Sequence, residues 1–271
     1  MKKEQISIVV VGAGKVATHL SLALKQAGYK LLQVYSRTEV SAKELSDKLD
    51  CSYTVIPETL RTDADLYLFS LKDSALASVL SRMQTNNGLW VHTAGSMPLD
   101  IFEGHATQYG VLYPLQTFSK NREVAIKDVP FFVEANDKEN ENKLTILAQS
   151  ISNKVQPLSS EKRKYIHLAA VFACNFTNHC YAIAADLLEK QGIPFDVLLP
   201  LADETAAKVH SLSPKEAQTG PAVRYDENVI SKHLELLPTT LYKELYELLS
   251  QSIHSSIISS GETVTHSTPS S

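Results

Sequence analysis

Apolar positions fall first into short β-branched runs separated by amphipathic stretches and then, past about residue 160, into long helical stretches. Ile6 and Ile8 to Val11 form a nearly unbroken β-branched run, which suits a strand buried on both faces of a parallel sheet. The run stops at Gly12 and Gly14; Leu20, Leu22, Ala23 and Leu24 then give a helix one apolar side, and Gly28 ends it as a C-terminal cap would. The rhythm repeats through LLQVY at 31–35, a helix over 41–49, a short strand from Cys51 to Val55, the buried strand DLYLFSL at 65–71, a helix through Met83, and a strand from Gly88 to Val91. FFVEA at 131–135, a polar helix near 137–151 and KVQPL at 154–158 complete an α/β set, while the tract YGVLYPLQTF at 109–118 is expected as a loop around its proline. From Glu161 to His210 and from Asn228 to Ile258 the pattern is helical, broken by Gly192, Pro194 and the segment 213–221. The expected fold class is therefore α/β: a doubly wound sheet domain over 1–159, an all-helical domain over 160–258, and a polar Ser/Thr-rich tail over 259–271.

Composition narrows the function classes. A chain of 271 residues with 44% hydrophobic content can bury a sizeable core, and its net charge of −4 argues against a polyanion-binding surface and so against nucleic acid. Cys51, Cys174 and Cys180 form no CxxC pair and have no spaced histidines, which argues against a structural metal and a disulfide framework and suits a cytoplasmic protein. Met1-Lys2-Lys3 before an apolar run resembles a signal peptide superficially, but Glu4, Lys15 and the glycines break the pattern. No stretch is expected to span a membrane.

The chemistry concentrates at the ends of the predicted strands. Gly12, Ala13, Gly14, Lys15 and Val16 read as the phosphate cradle of a Rossmann domain: Gly12 makes the tight turn, Gly14 admits a pyrophosphate, and the helix offers free N–H groups, with Ala17 in the third fingerprint position. Ser36, Arg37 and Thr38 end the second strand where an acid would bind the ribose of NAD; a cation between two hydroxyls suits a 2′-phosphate and hence NADP, the alternative being a solvated surface charge. Ser70, Leu71 and Lys72 reach the same edge, followed by Asp73, which is expected to cap the next helix. His92-Thr93-Ala94-Gly95-Ser96 offers a histidine and hydroxyls, with His92 and Ser96 either moving a proton or serving as hydrogen-bonded structure. Tyr113, Gln116 and Thr117 are candidates for a substrate-facing loop. The apolar helix at 165–188 reads as a core helix, with His167, Cys174, Asn175 and Asn178 grouped on one side at about 100° per residue. Asn175 there either meets a ligand or makes an interhelical hydrogen bond. In TGPAVRYD at 219–226, Arg224 either anchors a substrate carboxylate or makes an ion pair, Asp226 being one partner. Leu241, Leu245, Leu248 and Leu249 form a narrow stripe suited to packing or a dimer seam.

Together GAGKVA, the SRT at 36–38, HTAGS, YPLQTF, AVFACNF and TGPAVRYD resemble the Rossmann proteins with a DUF2520 helical domain, over nearly the whole chain from Ile6 to about residue 255. The resemblance implies an NADP oxidoreductase distantly similar to pyrroline-5-carboxylate reductase, ketopantoate reductase and hydroxyacid dehydrogenases. It also implies a helical domain like the C-terminal domain of 6-phosphogluconate dehydrogenase, a small-molecule substrate and a homodimer through the helices. Family members often carry His where this chain has Tyr113, and RGD where it has Arg224-Tyr225-Asp226. Hydroxyacid dehydrogenases and ketopantoate reductase carry Lys four residues before the helical Asn; here that position is Val171, which cannot donate a proton. The expected activity is hydride transfer between NADPH and a small carbonyl or imine compound, with a non-catalytic NADP sensor as the alternative.

Overall fold

The computed structural model describes residues 6–119 and 122–259. Residues 260–271, most of the expected polar tail, lie outside them. Backbone contacts divide the chain into two compact units, with the division between Thr177 and Asn178.

The first unit alternates strand and helix: β1 (Ser7–Val11), α1 (Lys15–Gln26), β2 (Lys30–Tyr35), α2 (Glu39–Leu49), β3 (Ser52–Thr54), β4 (Leu66–Phe69), α3 (Asp73–Leu80), β5 (Leu89–His92), β6 (Tyr109–Pro114), β7 (Pro130–Ala135), α4 (Lys138–Gln149), β8 (Lys154–Pro157) and α5 (Ser160–Ala170). The strands form one sheet in the order β3-β2-β1-β4-β5-β6-β7-β8. All neighbours are parallel except β6 and β7. The first six strands thus follow the 3-2-1-4-5-6 order of a doubly wound dinucleotide fold, whose ligands bind beyond the strands' carboxyl ends where the order reverses. Here that point lies between β1 and β4, at Val11 and Phe69.

Alternation of side chains explains the unbroken apolar run of β1. Ile8 and Val10 join a core with Leu20, Leu24 and Leu68, while Val9 and Val11 join another with Tyr67, Phe69, Trp90 and Phe102. Gly28, at φ +96°, follows the last turn of α1, and Tyr29 N returns 3.1 Å to Leu24 O, closing the helix as its glycine predicted.

The tract at 109–118 corrects the loop expectation, because Tyr109–Pro114 is β6. Its Gly-Val-Leu-Tyr run is good strand material, and the proline is tolerated because β5 pairs only with Tyr109 to Val111. Pro114 therefore faces no donor requirement on that edge.

In α5 the helix runs into a π-helical segment, Val171–Phe176, and continues as α6 (Thr177–Glu189). The second unit then adds α7 (Leu199–Lys208), α8 (Pro221–Arg224), α9 (Glu227–Leu236) and α10 (Thr240–Ser259). Among the described residues, its buried hydrophobics are Ala222, Ile230 and Ile257, a small core for these helices. The expectation of a core helix at 165–188 is overturned: Tyr165 is 67%, Leu168 53%, Phe172 62% and Phe176 51% exposed, and α6 buries no residue. Among the described residues one helical run, Ser160–Glu189, is long and apolar enough by length and composition to cross a membrane, although His167, Asn175, Asn178 and His179 interrupt its surface.

Gly12 and Gly14 are separable by substitution. Gly12 has φ +122°, and a Cβ there would stand 2.3 Å from Ser70 O; Gly14 has nothing within 4 Å of that position. Gly12→Ala is expected to cost more than about 3 kcal/mol, and Gly14→Ala within about 1 kcal/mol, by urea denaturation.

Candidate functional site

The glycine turn and its neighbours form the first part of the site. Gly12 N donates to Tyr35 O at 2.8 Å, and Ser70 N donates to Val11 O at 2.9 Å, so the turn lies between the ends of β2 and β4. Gly14 caps α1 without a side-chain acceptor, and the first turn holds no acid. The leading amides of α1 are therefore open to an anion, with the helix dipole behind them. Ala13 and Val16 pack their side chains on the core and offer backbone, whereas Lys15 is exposed. Beside the turn, Arg37 is exposed, and among the described residues it has no ion pair, nor do Ser36 and Thr38 use their hydroxyls in capping. Leu71 packs close to Gly12, and exposed Lys72 precedes α3. Phe118 stacks near the His19 ring at 5.0 Å, and His19 Nε2 lies 2.9 Å from Ser119 O, seating the end of the YPLQTF tract on α1.

The second part gathers at the ends of β4, β5 and β6. Ser70 Oγ and Thr93 Oγ1 are 2.9 Å apart. Ser96 Oγ donates to Asp73 Oδ2 at 2.7 Å. This corrects the expected role of Asp73: it is the first residue of α3, with Lys72 in the cap position, and its carboxylate holds the HTAGS turn. His92 is buried, and the backbone uses both ring nitrogens: Ala94 N donates to Nδ1 at 3.2 Å, and Nε2 lies 3.2 Å from Pro98 O. Burial, seconded by the Arg163 cation, pushes its pKa down to about 4. A neutral ring with both nitrogens engaged fits the structural one of its two alternatives.

Tyr113 is buried at the end of β6, opposite Phe132 of β7, with ring centroids 6.3 Å apart. Its hydroxyl lies 3.0 Å from His167 Nδ1. Burial raises the Tyr113 phenol pKa, an effect that Arg163 partly opposes. Gly95 makes room for the pair, since a Cβ there would stand 2.5 Å from His167 Nδ1.

Beneath this pair runs a buried ionic network that sequence reasoning missed. Arg163 Nη1 donates to Glu134 Oε2 at 2.6 Å; its Nη2 donates to Met97 O at 2.6 Å and to Ser160 Oγ at 3.0 Å. Glu134 also accepts from Ser160 N at 2.9 Å and Ser160 Oγ at 2.6 Å, so it caps the start of α5 from β7. The available signal was Glu134 itself, an acid inside the apolar run FFVEA, because a charge placed among buried residues needs a partner.

The remaining candidates are Asn175 and Arg224. Asn175 is exposed in the π-helical segment, so its amide needs no internal partner. Asn178 is exposed as well, whereas Cys174, also on the expected side, is close enough to His167's partner Tyr113 to be felt by it. Arg224 is exposed in the second unit, and Asp226 caps α9 by accepting from Val229 N at 3.3 Å instead of pairing with it. A concavity of about 1180 Å³ lies at the opposite, amino-terminal strand ends of the first unit, lined by Asp65, Gly88 and Gln108 and by none of the candidate residues.

The Rossmann-like domain model matches residues 1–116, and the model described as Domain of unknown function (DUF2520) matches residues 129–253. A "putative NADP oxidoreductase" from Bacteroides fragilis is 53% identical, with 93% of this chain and 99% of that chain covered and a TM-score of 0.88. The chain belongs to the Rossmann-like DUF2520 family. Two more distant structures share the fold. 1-Pyrroline-5-carboxylate reductase from Streptococcus pyogenes is 17% identical over 93% of this chain and 99% of that one, with a TM-score of 0.62. A reductive aminase from Aspergillus terreus, in complex with NADPH and ethyl-5-oxohexanoate, is 15% identical over 95% and 100%, with a TM-score of 0.70. No curated protein matches the chain.

Two substitutions test the buried chemistry. The folded His92 pKa of about 4 lies below the ordinary 6.5, so between these values the unfolded chain binds a proton that the folded chain does not. Stability is expected to be full above pH 6.5 and to fall by roughly 3 kcal/mol as pH drops to 4, in urea titrations; His92→Gln should remove that share. Arg163→Met, which leaves Glu134 unpaired, is expected to cost about 3–5 kcal/mol in the same assay at pH 7.

Proposed function

We propose that the chain is an NADP-dependent oxidoreductase that transfers a hydride between NADPH and the carbonyl or imine carbon of a small molecule. The observation that carries this reading is the open first turn of α1 beside exposed Arg37, which has no ion pair among the described residues. The turn fits a pyrophosphate, and Arg37 with Ser36 and Thr38 fits a 2′-phosphate. The nature of the 53% identical relative agrees with it. The bound nucleotide supplies the hydride; the chain's task is to hold it, orient the substrate and manage the accompanying proton. Gly12 to Val16 would hold the pyrophosphate, with Ser70, Leu71 and Lys72 along the adjoining edge. Ser96 and Tyr113 face the chemistry at the neighbouring strand ends, while His92 shapes their turn. Val171 keeps the lysine-based proton donation of the hydroxyacid dehydrogenases out of this scheme.

The same reading includes a homodimer in a reducing, cytoplasmic setting. Its support is the exposed face of Tyr165, Leu168, Phe172 and Phe176, together with the small core beyond Thr177. An apolar surface of this kind on a polar-flecked helix is better covered by a second copy than by lipid.

Titration by NADPH fluorescence tests the cofactor. NADPH is expected to bind more tightly than NADH, and Arg37→Ala to weaken NADPH about 10- to 100-fold while leaving NADH unchanged. Tighter NADH binding, or an Arg37→Ala protein with full NADPH affinity, overturns the assignment. In sedimentation, Phe172→Asp combined with Phe176→Asp should convert a dimer to a monomer; a monomeric parent protein refutes the association. Tight NADPH binding without turnover on any ketone or imine favours the sensor alternative.

A further inference from the structure

Among the described residues, Tyr113 and His167 are a side-chain pair of proton-carrying groups at the strand ends for which the fold makes room at the expense of a side chain. A Cβ on residue 95 would stand 2.5 Å from His167 Nδ1 and 2.9 Å from Tyr113 Cε2, so only glycine lets the rings meet. The phenol and Nδ1 lie 3.0 Å apart, and the rings meet edge to face at 6.0 Å. Both partners are held from behind. Tyr113 lies against Phe132, and His167 follows the first turn of α5, which Glu134 and Arg163 fix to β7 and to the turn at Met97. His167 is half-buried, and among the described residues its Nε2 has no protein partner, so the ring joins a buried phenol to water. His92 offers no such path, because its two nitrogens belong to the backbone.

We infer that Tyr113 is the proton donor to the substrate's oxygen or nitrogen and that His167 recharges it, an inference that rests on the oxidoreductase reading above. The reducing equivalent is the hydride of the nucleotide, which forms the new C–H bond as the C=O or C=N π bond opens. The heteroatom takes the Tyr113 hydroxyl proton. The phenolate left behind takes the proton from Nδ1 of a His167 imidazolium, which donates to the Tyr113 oxygen and so leaves the phenol proton free for substrate. Solvent restores the imidazolium after product leaves. The net change is one hydride and one solvent proton added across the double bond. Tyr113 is thus the catalytic residue, and His167 a positioning and recharging residue that acts through it. The other charged or titratable groups felt by Tyr113 are Arg163 from α5 and Cys174 from the π-helical segment.

The test uses the full chain, NADPH, and a panel of small ketones and cyclic imines, with NADPH fluorescence as a readout independent of turnover. Tyr113→Phe is expected to lower kcat about 100-fold or more while leaving NADPH affinity and KM within about threefold. His167→Ala should lower kcat at least about tenfold, again with NADPH affinity kept. Added imidazole should restore much of that loss, and pyrrole, which fills the same space without an acidic cation, should not. Near-normal kcat in Tyr113→Phe, equal rescue by pyrrole, failure of imidazole to rescue, or NADPH bound without turnover on any panel compound overturns the relay. A parent protein that binds no NADPH overturns the cofactor reading beneath it, and the relay with it.

Discussion

The candidate site depends on a guanidinium sealed inside the first unit. Arg163 is 1% exposed, and only its Nε lacks a hydrogen-bond partner. A buried charge is tolerable only when its partners are fixed, and those partners come from three separate places: Glu134 on β7, the Met97 carbonyl after β5, and Ser160 at the start of α5. Such a pair is weak evidence for net stability, since an apolar replacement of both members can match it. Its geometric consequence is stronger. Strand, turn and helix must all be in place before the cation is satisfied, and the same three elements present Tyr113's wall, the HTAGS turn and His167.

The antiparallel β7 is what makes this arrangement possible. The first six strands suffice for a nucleotide-binding sheet, and the sheet could stop at β6. Pairing β7 against β6 instead puts Phe132 opposite Tyr113 and Glu134 opposite Val111. The extension supplies both the apolar wall that buries the phenol and the carboxylate that starts α5. The nucleotide end and the proton-handling end are therefore built by different parts of one sheet, and they meet at the carboxyl ends of β1, β4, β5 and β6.

How much of this was legible in sequence depends on the range of each interaction. The β1 run, the glycine turn and the SRT end of β2 are local signals, each carried by adjacent residues, and the structure places all of them side by side. Tyr109–Pro114 reads as a loop where its proline is taken as a local signal, whereas a proline's cost in a strand depends on whether a neighbouring strand needs its missing donor. The apolar helix at 165–188 was read as core because composition reports a preference for burial without saying whether this chain or another supplies the cover. Asp73 and His167 were visible as residues but not as partners of Ser96 and Tyr113, separations of 23 and 54 positions that no periodicity encodes. Glu134 in FFVEA was the one long-range clue that stood in plain view.

The helix running from α5 into α6 holds His167 against the sheet and, on the same turns, exposes Tyr165 and Leu168, with Phe172 and Phe176 beyond them. His167 must point toward Gly95 and Tyr113, so its turn is held against the sheet. Phe172 and Phe176, only five and nine residues on, are exposed and stack edge to face at 5.0 Å. The π-helical segment begins at Val171, and Thr177 Oγ1 reaches back to Phe172 O at 3.1 Å, a five-residue span. α5 continues into the π-helical segment without a break, so the turn that holds the histidine and the turns that present the apolar face belong to one continuous helix. On the proposed reading, covering that face with a second copy would brace the far side of the same helix, coupling association to the rigidity of the histidine that recharges Tyr113.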